Sequence, residues 1–286
     1  MKAQLIDGKR ISAEIKAEAA EEAAALKAKG ITPCLAVVLV GDDSASQVYV
    51  NNKKKACEAV GIRSVSHVLS GETTEEALLE LIAKLNADKD IHGILVQMPV
   101  PKQIDERKVI LAIDPKKDVD CFHPVNVGNL HTGGEGFLPC TPAGIIELIK
   151  RSGHSIEGKQ CVVIGRSNIV GKPVAMLLMQ ENGTVTICHS KTRNLAEICR
   201  GADIIVSAVG KVNTVTADMV KEGAILIDVG MNRNEAGKLC GDVDFENVKE
   251  IAGAITPVPG GVGPMTIAML MRNTLLAATG AVYPKQ

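Results

Sequence analysis

Apolar positions along the chain follow two rhythms. Short runs rich in aliphatic residues, at 35–40, 91–96, 161–165, 184–188, 203–209 and 224–229, read as strands, several apolar enough to be buried on both faces. Between them lie stretches with helical spacing: 11–29 stopped by Gly30, 44–60 followed by Gly61, and 75–86 behind a cap at Thr73 or Thr74. Helices follow at 144–151, 171–181 and 194–200, and an apolar helix at 266–279 closes the pattern. Strands separated by helices imply parallel sheets with right-handed crossovers. A Gly/Pro/His-rich stretch, 121–142, interrupts the alternation and marks a domain junction. The expected fold is therefore α/β: two α/β domains flanking a cleft, the second a Rossmann-type nucleotide-binding domain.

Composition narrows the function. The chain has 286 residues, 46% of them hydrophobic, and a formal net charge of −1. That balance suggests neither a nucleic-acid nor a membrane-surface partner. There is no Trp, and Tyr49 and Tyr283 are the tyrosines, so base-stacking platforms are not expected. The eight cysteines (34, 57, 121, 140, 161, 188, 199, 240) are scattered through apolar runs without a Cys-x-x-Cys. They read as small hydrophobes in a reducing cytoplasm and give no metal site.

Three places carry chemistry. The strand 161–165 runs into Gly165-Arg-Ser-Asn-Ile-Val-Gly171, and Lys172-Pro173 opens a helix. This order of strand, glycine loop and helix puts a pyrophosphate at a helix N-terminus, although Ser167 stands at the second glycine position. The next strand ends in His189-Ser-Lys-Thr-Arg193, with no acid for a ribose hydroxyl, which favours NADP over NAD. In the helix from Ser44, Tyr49 and Lys53 share a face with Ala56, Cys57 and Val60. A lysine on that stripe would lose solvation of its charged form and could exchange protons near neutrality; alternatively it snorkels to water along its stem. Gln97 closes a strand, where α/β sheets bind ligands. Asp118 and Asp120 are open between ligand binding and a turn or cap role, and His123 and His131 read as loop residues. Last, Pro259-Gly-Gly-Val-Gly-Pro-Met-Thr-Ile267 is a stiff, side-chain-poor stretch suited to line a ligand.

These residues closely resemble one family, the bifunctional methylenetetrahydrofolate dehydrogenase/methenyltetrahydrofolate cyclohydrolases. The resemblance runs from about Asp7 to Thr279. It rests on Ser46-x-x-Tyr49-x-x-x-Lys53, Val96-Gln97-Met98-Pro99, Lys117-Asp-Val-Asp120, Pro139-Cys-Thr-Pro142, the 165–173 loop and 259–267. It implies that Lys53 is the catalytic lysine, that Tyr49 stacks on the pterin and that Gln97 sets the lysine's protonation and orientation. Asp120, Pro259, Gly260 and Gly261 would bind substrate. Thr141, Gly165, Arg166, Ser167, Val170, Gly171, Ser190 and Arg193 would bind NADP. It further implies a folate-binding catalytic domain at 1–139 plus 266–286 and an NADP-binding domain at 140–265. A cytoplasmic homodimer acting on tetrahydrofolate derivatives in one-carbon metabolism is expected, without metal, nucleic acid or membrane. Two positions depart from the family pattern: Met98 stands where Leu is frequent, and Cys121 where many members have Gly. Competing readings are a monofunctional dehydrogenase, an NADP-linked dehydrogenase of a cyclic hydroxy acid, and a nucleotide-sensing module.

Overall fold

The computed structural model describes residues 3–282, with Ser44 and Ala45 through their backbone. The expected domain limits at 1 and 286, and Tyr283, lie outside the described residues. In chain order the elements are β1 (Gln4–Leu5), α1 (Gly8–Ala28), β2 (Cys34–Val40), α2 (Ser44–Val60), β3 (Arg63–Leu69), α3 (Glu75–Ala87) and β4 (Gly93–Val96). Then come α4 (Glu106–Ala112), α5 (Pro124–Thr132), α6 (Cys140–Arg151), β5 (Gln160–Ile164), α7 (Gly171–Gln180), β6 (Thr184–Cys188) and α8 (Leu195–Arg200). The last are β7 (Ile204–Ser207), β8 (Ile225–Asp228), β9 (Asn232–Arg233), β10 (Leu239–Cys240), α9 (Phe245–Val248), β11 (Ala254–Ile255) and α10 (Val262–Thr279).

Two compact units emerge. One holds the chain up to Ala13 together with Thr141–Thr266; the other holds Glu14–Cys140 and the chain from Ile267 onward. The N-terminal segment thus falls in a different unit from the one its place in sequence suggests. The reason is hydrogen bonding: β1 pairs in parallel with β11, Gln4 opposite Ala254 and Leu5 opposite Ile255.

In the second unit β2 lies between β3 and β4, all parallel. Every residue of β2 is buried, as its unbroken apolar run requires. Ala36, Val38 and Val40 pack against Leu78, Ile82 and Leu85 of α3. Thr74 caps α3, its Oγ1 accepting from the Ala77 amide at 3.2 Å. The stretch expected to be an irregular junction contains α5, which His123 caps by accepting from the Val125 amide through Nδ1 at 3.2 Å.

The first unit carries a six-stranded sheet in the order β1-β11-β8-β7-β5-β6, with every pairing parallel. From β5 the chain goes first to β6 on one side and then to β7 on the other. The carboxyl ends of β5 and β7 therefore frame the crevice where doubly wound sheets bind nucleotides. The helix expected at 266–279 begins earlier, at Val262. Pro264 lies in its first turn, where a missing amide hydrogen costs nothing. None of the helices among the described residues is long and apolar enough to cross a membrane.

Candidate active site

Lys53 is set by α2. Asp43 starts that helix, its side chain accepting from the Ser46 amide at 2.8 Å. The apolar stripe then turns Lys53, Ala56, Cys57 and Val60 inward, while Lys54 and Lys55 are exposed. Lys53 is only 9% exposed, so it does not snorkel. Its Nζ donates to Gln97 Oε1 at 2.9 Å. Gln97 is itself fixed at both ends. Its amide N–H extends the ladder to Val38 O at 2.8 Å, and its Nε2 donates to Met98 O at 2.8 Å. With the nitrogen so engaged, the carbonyl oxygen faces the lysine. Tyr49, one turn before Lys53, is 46% exposed and offers its ring outward.

Asp118 and Asp120 divide their roles, and Asp120 is the one that feels the Lys53 charge. Asp118 is buried, and its carboxylate accepts from the amides of Phe122 (3.2 Å) and His123 (2.8 Å) and from Asn126 Nδ2 (2.8 Å). That is a structural duty, holding the turn into α5. Asp120 is half-buried and has no such harness. Burial pushes its carboxyl above the usual carboxylate range, against the pull of the Lys53 charge, with Asp118 adding to the rise. The Cys140 thiol lies within hydrogen-bonding reach of Asp120 and at 3.4 Å from Val119 O. Cys121 follows with φ +62°, and its thiol donates to Phe137 O at 3.0 Å. At this left-handed position, which favours Gly, the thiol's bond and near-complete burial hold the side chain in place.

Asn273 of α10 is a residue the sequence pattern hides, since it looks like a mere break in an apolar helix. Its Nδ2 donates to Val119 O and to Leu138 O, both at 2.8 Å, so it pins the peptide just before Asp120. Asn273→Ala strands the Leu138 carbonyl and leaves Val119 O with the Cys140 thiol at 3.4 Å, in a largely buried setting. We expect a loss of about 2–3 kcal/mol in urea unfolding, from the cost of unsatisfied groups; a change within 0.5 kcal/mol, the ~0.5 kcal/mol scale of ordinary surface substitutions, would refute the pinning.

The nucleotide candidates gather in the other unit. Gly165 ends β5 with φ +122°, and an ideal Cβ there would sit 2.4 Å from Ala208 O. A Cβ on Gly171 would sit 2.3 Å from Gly165 O. Main chain thus fills the space that side chains would take, which is the cradle a dinucleotide needs. Ser167, in the place of a second glycine, uses its Oγ to accept from the amides of Val170 and Gly171, both at 3.2 Å, capping α7. Val170 takes the N-cap position without a side-chain bond. Arg166, Ser190 and Arg193 are exposed, and neither guanidinium has a hydrogen-bond or ion-pair partner among the described residues. Thr141 Oγ1 is paired with Thr266 Oγ1 at 2.8 Å. Pro259, Gly260 and Gly261 belong to this unit as well, Gly261 lying against Gly8 at the start of α1.

Behind this loop stand two acids with no sequence motif of their own, Asp228 and Asp242, 3% and 0% exposed. The signal available was an acid beside a glycine at an element end: Asp228-Val-Gly230 and Gly241-Asp242. Burial raises the Asp228 carboxyl to about 6, outweighing the amide bonds it accepts, with the Asp242 charge adding to the rise. The folded state therefore holds this proton more tightly than the unfolded chain, whose Asp titrates near ~3.9. Its contribution to stability should fall as pH rises from about 4 to about 6, by roughly 3 kcal/mol in all. Carbon-detected NMR of the carboxyl would read the midpoint, and a value near 4 would contradict it.

A buried lysine held by an amide at a strand end, together with a glycine-loop unit of the nucleotide-binding kind, marks the class as NAD(P)-linked two-domain α/β enzymes. Comparison with known proteins specifies it. Residues 6–120 match the family described as tetrahydrofolate dehydrogenase/cyclohydrolase, catalytic domain, and residues 139–282 match its NAD(P)-binding domain. The chain belongs to this family. It is 60% identical over 278 residues to the bifunctional protein FolD of Acetivibrio thermocellus, covering 97% of this chain and 98% of that protein. The solved FolD methylenetetrahydrofolate dehydrogenase/cyclohydrolase of Campylobacter jejuni is 53% identical, with a TM-score of 0.95 over 98% of this chain and 99% of that one. The Trypanosoma brucei enzyme, solved with NADP cofactor and an inhibitor, is 42% identical, with a TM-score of 0.93 over 99% of each chain.

Proposed function

We propose that Lys53 carries the proton transfers of this folate enzyme, and the observation that carries the proposal is its buried bond to Gln97 Oε1. The enzyme oxidises 5,10-methylenetetrahydrofolate to the 5,10-methenyl cation with NADP and hydrolyses that cation to 10-formyltetrahydrofolate. The residues at 165–171 fit the dinucleotide, because main chain occupies the space of two side chains and a serine caps the helix beyond. Arg166, Ser190 and Arg193 would hold its phosphates, and their cationic and hydroxyl character, with no acid at 189–193, supports NADP rather than NAD. When bound, NADP accepts the hydride from the folate methylene carbon.

The chain's own residues do the rest. Oxidation releases no proton, so the demands on side chains there are orientation and exclusion of water. Hydrolysis is different. Water adds to the methenyl carbon and gives up both its protons as the formyl group forms: one leaves to solvent, and the other passes to a ring nitrogen as the carbon–nitrogen bond breaks. Lys53 Nζ is the group that can take and return it. Tyr49, exposed one turn away, offers a flat face for the pterin, and Asp120 offers a carboxyl to its amino-pyrimidinone edge.

The same reading has the enzyme in the cytoplasm as a homodimer, supplying formyl groups for purine synthesis. The free cysteines support a reducing compartment. The exposed edge strand β6 leaves the nucleotide unit a surface to pair. Following NADPH and methenyl absorbance together, with methylenetetrahydrofolate and either NADP or NAD, tests the function directly. Reduction of NADP followed by decay of the methenyl signal is expected. Persistent methenyl would leave a monofunctional dehydrogenase, and a faster rate with NAD would remove the cofactor preference.

A further inference from the structure

The Asp242 carboxylate takes no part in the chemistry above, yet it is the most heavily engaged side chain of the nucleotide unit. Its Oδ2 accepts from Ser207 Oγ at 3.1 Å, from the Val209 amide at 2.7 Å and from the Gly210 amide at 3.2 Å. Its Oδ1 accepts from the Lys211 amide at 2.9 Å and from Asn232 Nδ2 at 2.9 Å. Three successive main-chain N–H groups, 209 to 211, are thereby turned inward onto one carboxylate. The carboxylate is held in turn. Asp228 accepts from the Asp242 amide through Oδ1 and from the Val243 amide through Oδ2, both at 2.9 Å. Space for it is reserved by Gly230, where an ideal Cβ would lie 2.2 Å from Asp242 Oδ1.

The segment so gathered is the loop leaving β7, and its first residue is Ala208. The Ala208 carbonyl is the atom that an added Cβ on Gly165 would strike. Loop 208–211 and the glycine loop are therefore in contact across the crevice formed by the carboxyl ends of β5 and β7. We propose that Asp242 is a positioning residue for the dinucleotide: by drawing the amides of Val209, Gly210 and Lys211 inward, it sets the wall against which the cofactor lies beside Gly165. A neutral amide at 242 cannot do this. One of its two ends is an NH2, which would face inward-pointing N–H donors and push them away. The inference rests on the nucleotide reading of the 165–171 loop.

The test uses the whole enzyme and two measurements, NADP affinity by calorimetry and hydrolysis of methenyltetrahydrofolate without NADP. Asp242→Asn should weaken NADP binding about tenfold or more, with the scale set by a buried donor left facing a donor. It should raise KM for NADP with kcat at saturation largely kept, and leave NADP-independent hydrolysis within about twofold. Ser207→Ala removes one donor of the five and carries little risk to folding. It should weaken NADP about two- to fivefold, a net hydrogen bond's worth, with hydrolysis unchanged. NADP binding unchanged in Ser207→Ala and in any folded Asp242→Asn protein would overturn the proposal. So would an equal fall in binding and hydrolysis, which marks general destabilisation. Failure of the wild-type enzyme to bind NADP would instead overturn the nucleotide reading on which the inference rests.

Discussion

Lys53→Met should lower the hydrolysis of methenyltetrahydrofolate by about 10³-fold or more, within the range of a lost general acid–base group. Methionine keeps the length and apolar stem of the lysine, and the stripe formed with Ala56, Cys57 and Val60 accepts it without a cavity. What it removes is the Nζ donor to Gln97 Oε1 at 2.9 Å, the group we propose to move protons. Folate affinity, measured by calorimetry, should stay within a few-fold, since Tyr49 and Asp120 are untouched. Dehydrogenation should survive in part, because the hydride step moves no proton through the chain. Near-wild-type hydrolysis in the variant would take the proton role away from Lys53 altogether. Loss of folate binding in parallel with hydrolysis would recast the lysine as a binding group.

The second large effect is expected in the other unit. Gly165→Ala places a methyl 2.4 Å from Ala208 O at a residue with φ +122°. Both the backbone angle and the contact oppose it, so loops 165–171 and 208–211 must separate. NADP affinity should fall about 100-fold or more, from strain and displacement of the order of ~3 kcal/mol. Hydrolysis without NADP should persist, since Lys53, Gln97 and Asp120 all lie in the unit that excludes residue 165. An NADP dissociation constant within threefold of the wild type would show that the close approach at Gly165 is not part of the cofactor site.

Much of the architecture was legible because buried parallel strands advertise themselves as apolar runs. β2, β6 and α2 appear with the expected limits or within one residue of them. β3 was invisible for a physical reason: Arg63-Ser-Val-Ser-His-Val-Leu69 is an edge strand with polar residues interleaved, and it reads as loop. α5 hid in a stretch rich in Gly, Pro and His, because Pro124 at a helix start looks like a breaker when read alone. β1 is two residues long and owes its existence to a partner some 250 positions away, a pairing that no local pattern encodes. Spacing put Lys53 on the apolar stripe but left open whether it snorkels to water; the structure buries it, and spacing gave no partner for it. Periodicity can turn a side chain inward, but only the fold decides that Gln97 presents an oxygen there. Asp118 and Asp120 were equivalent as letters and differ by which one is claimed by the amides leading into α5 and by the Asn126 side chain.

The order of synthesis takes on a particular meaning in this chain. A nascent polypeptide emerges from its N-terminus, and domains usually fold as they appear. Here the lysine-bearing unit is interrupted by 141–266 and finished only by α10. Until Asn273 has left the ribosome, the Leu138 carbonyl lacks its donor, Val119 O has the Cys140 thiol alone, and the peptide before Asp120 is not yet tied to α10. The nucleotide unit is complete earlier on the same clock, at Thr266. The half-made chain thus completes its nucleotide unit before the unit that holds Lys53 and Asp120, and a chain cut short in α10 would carry the first without the second.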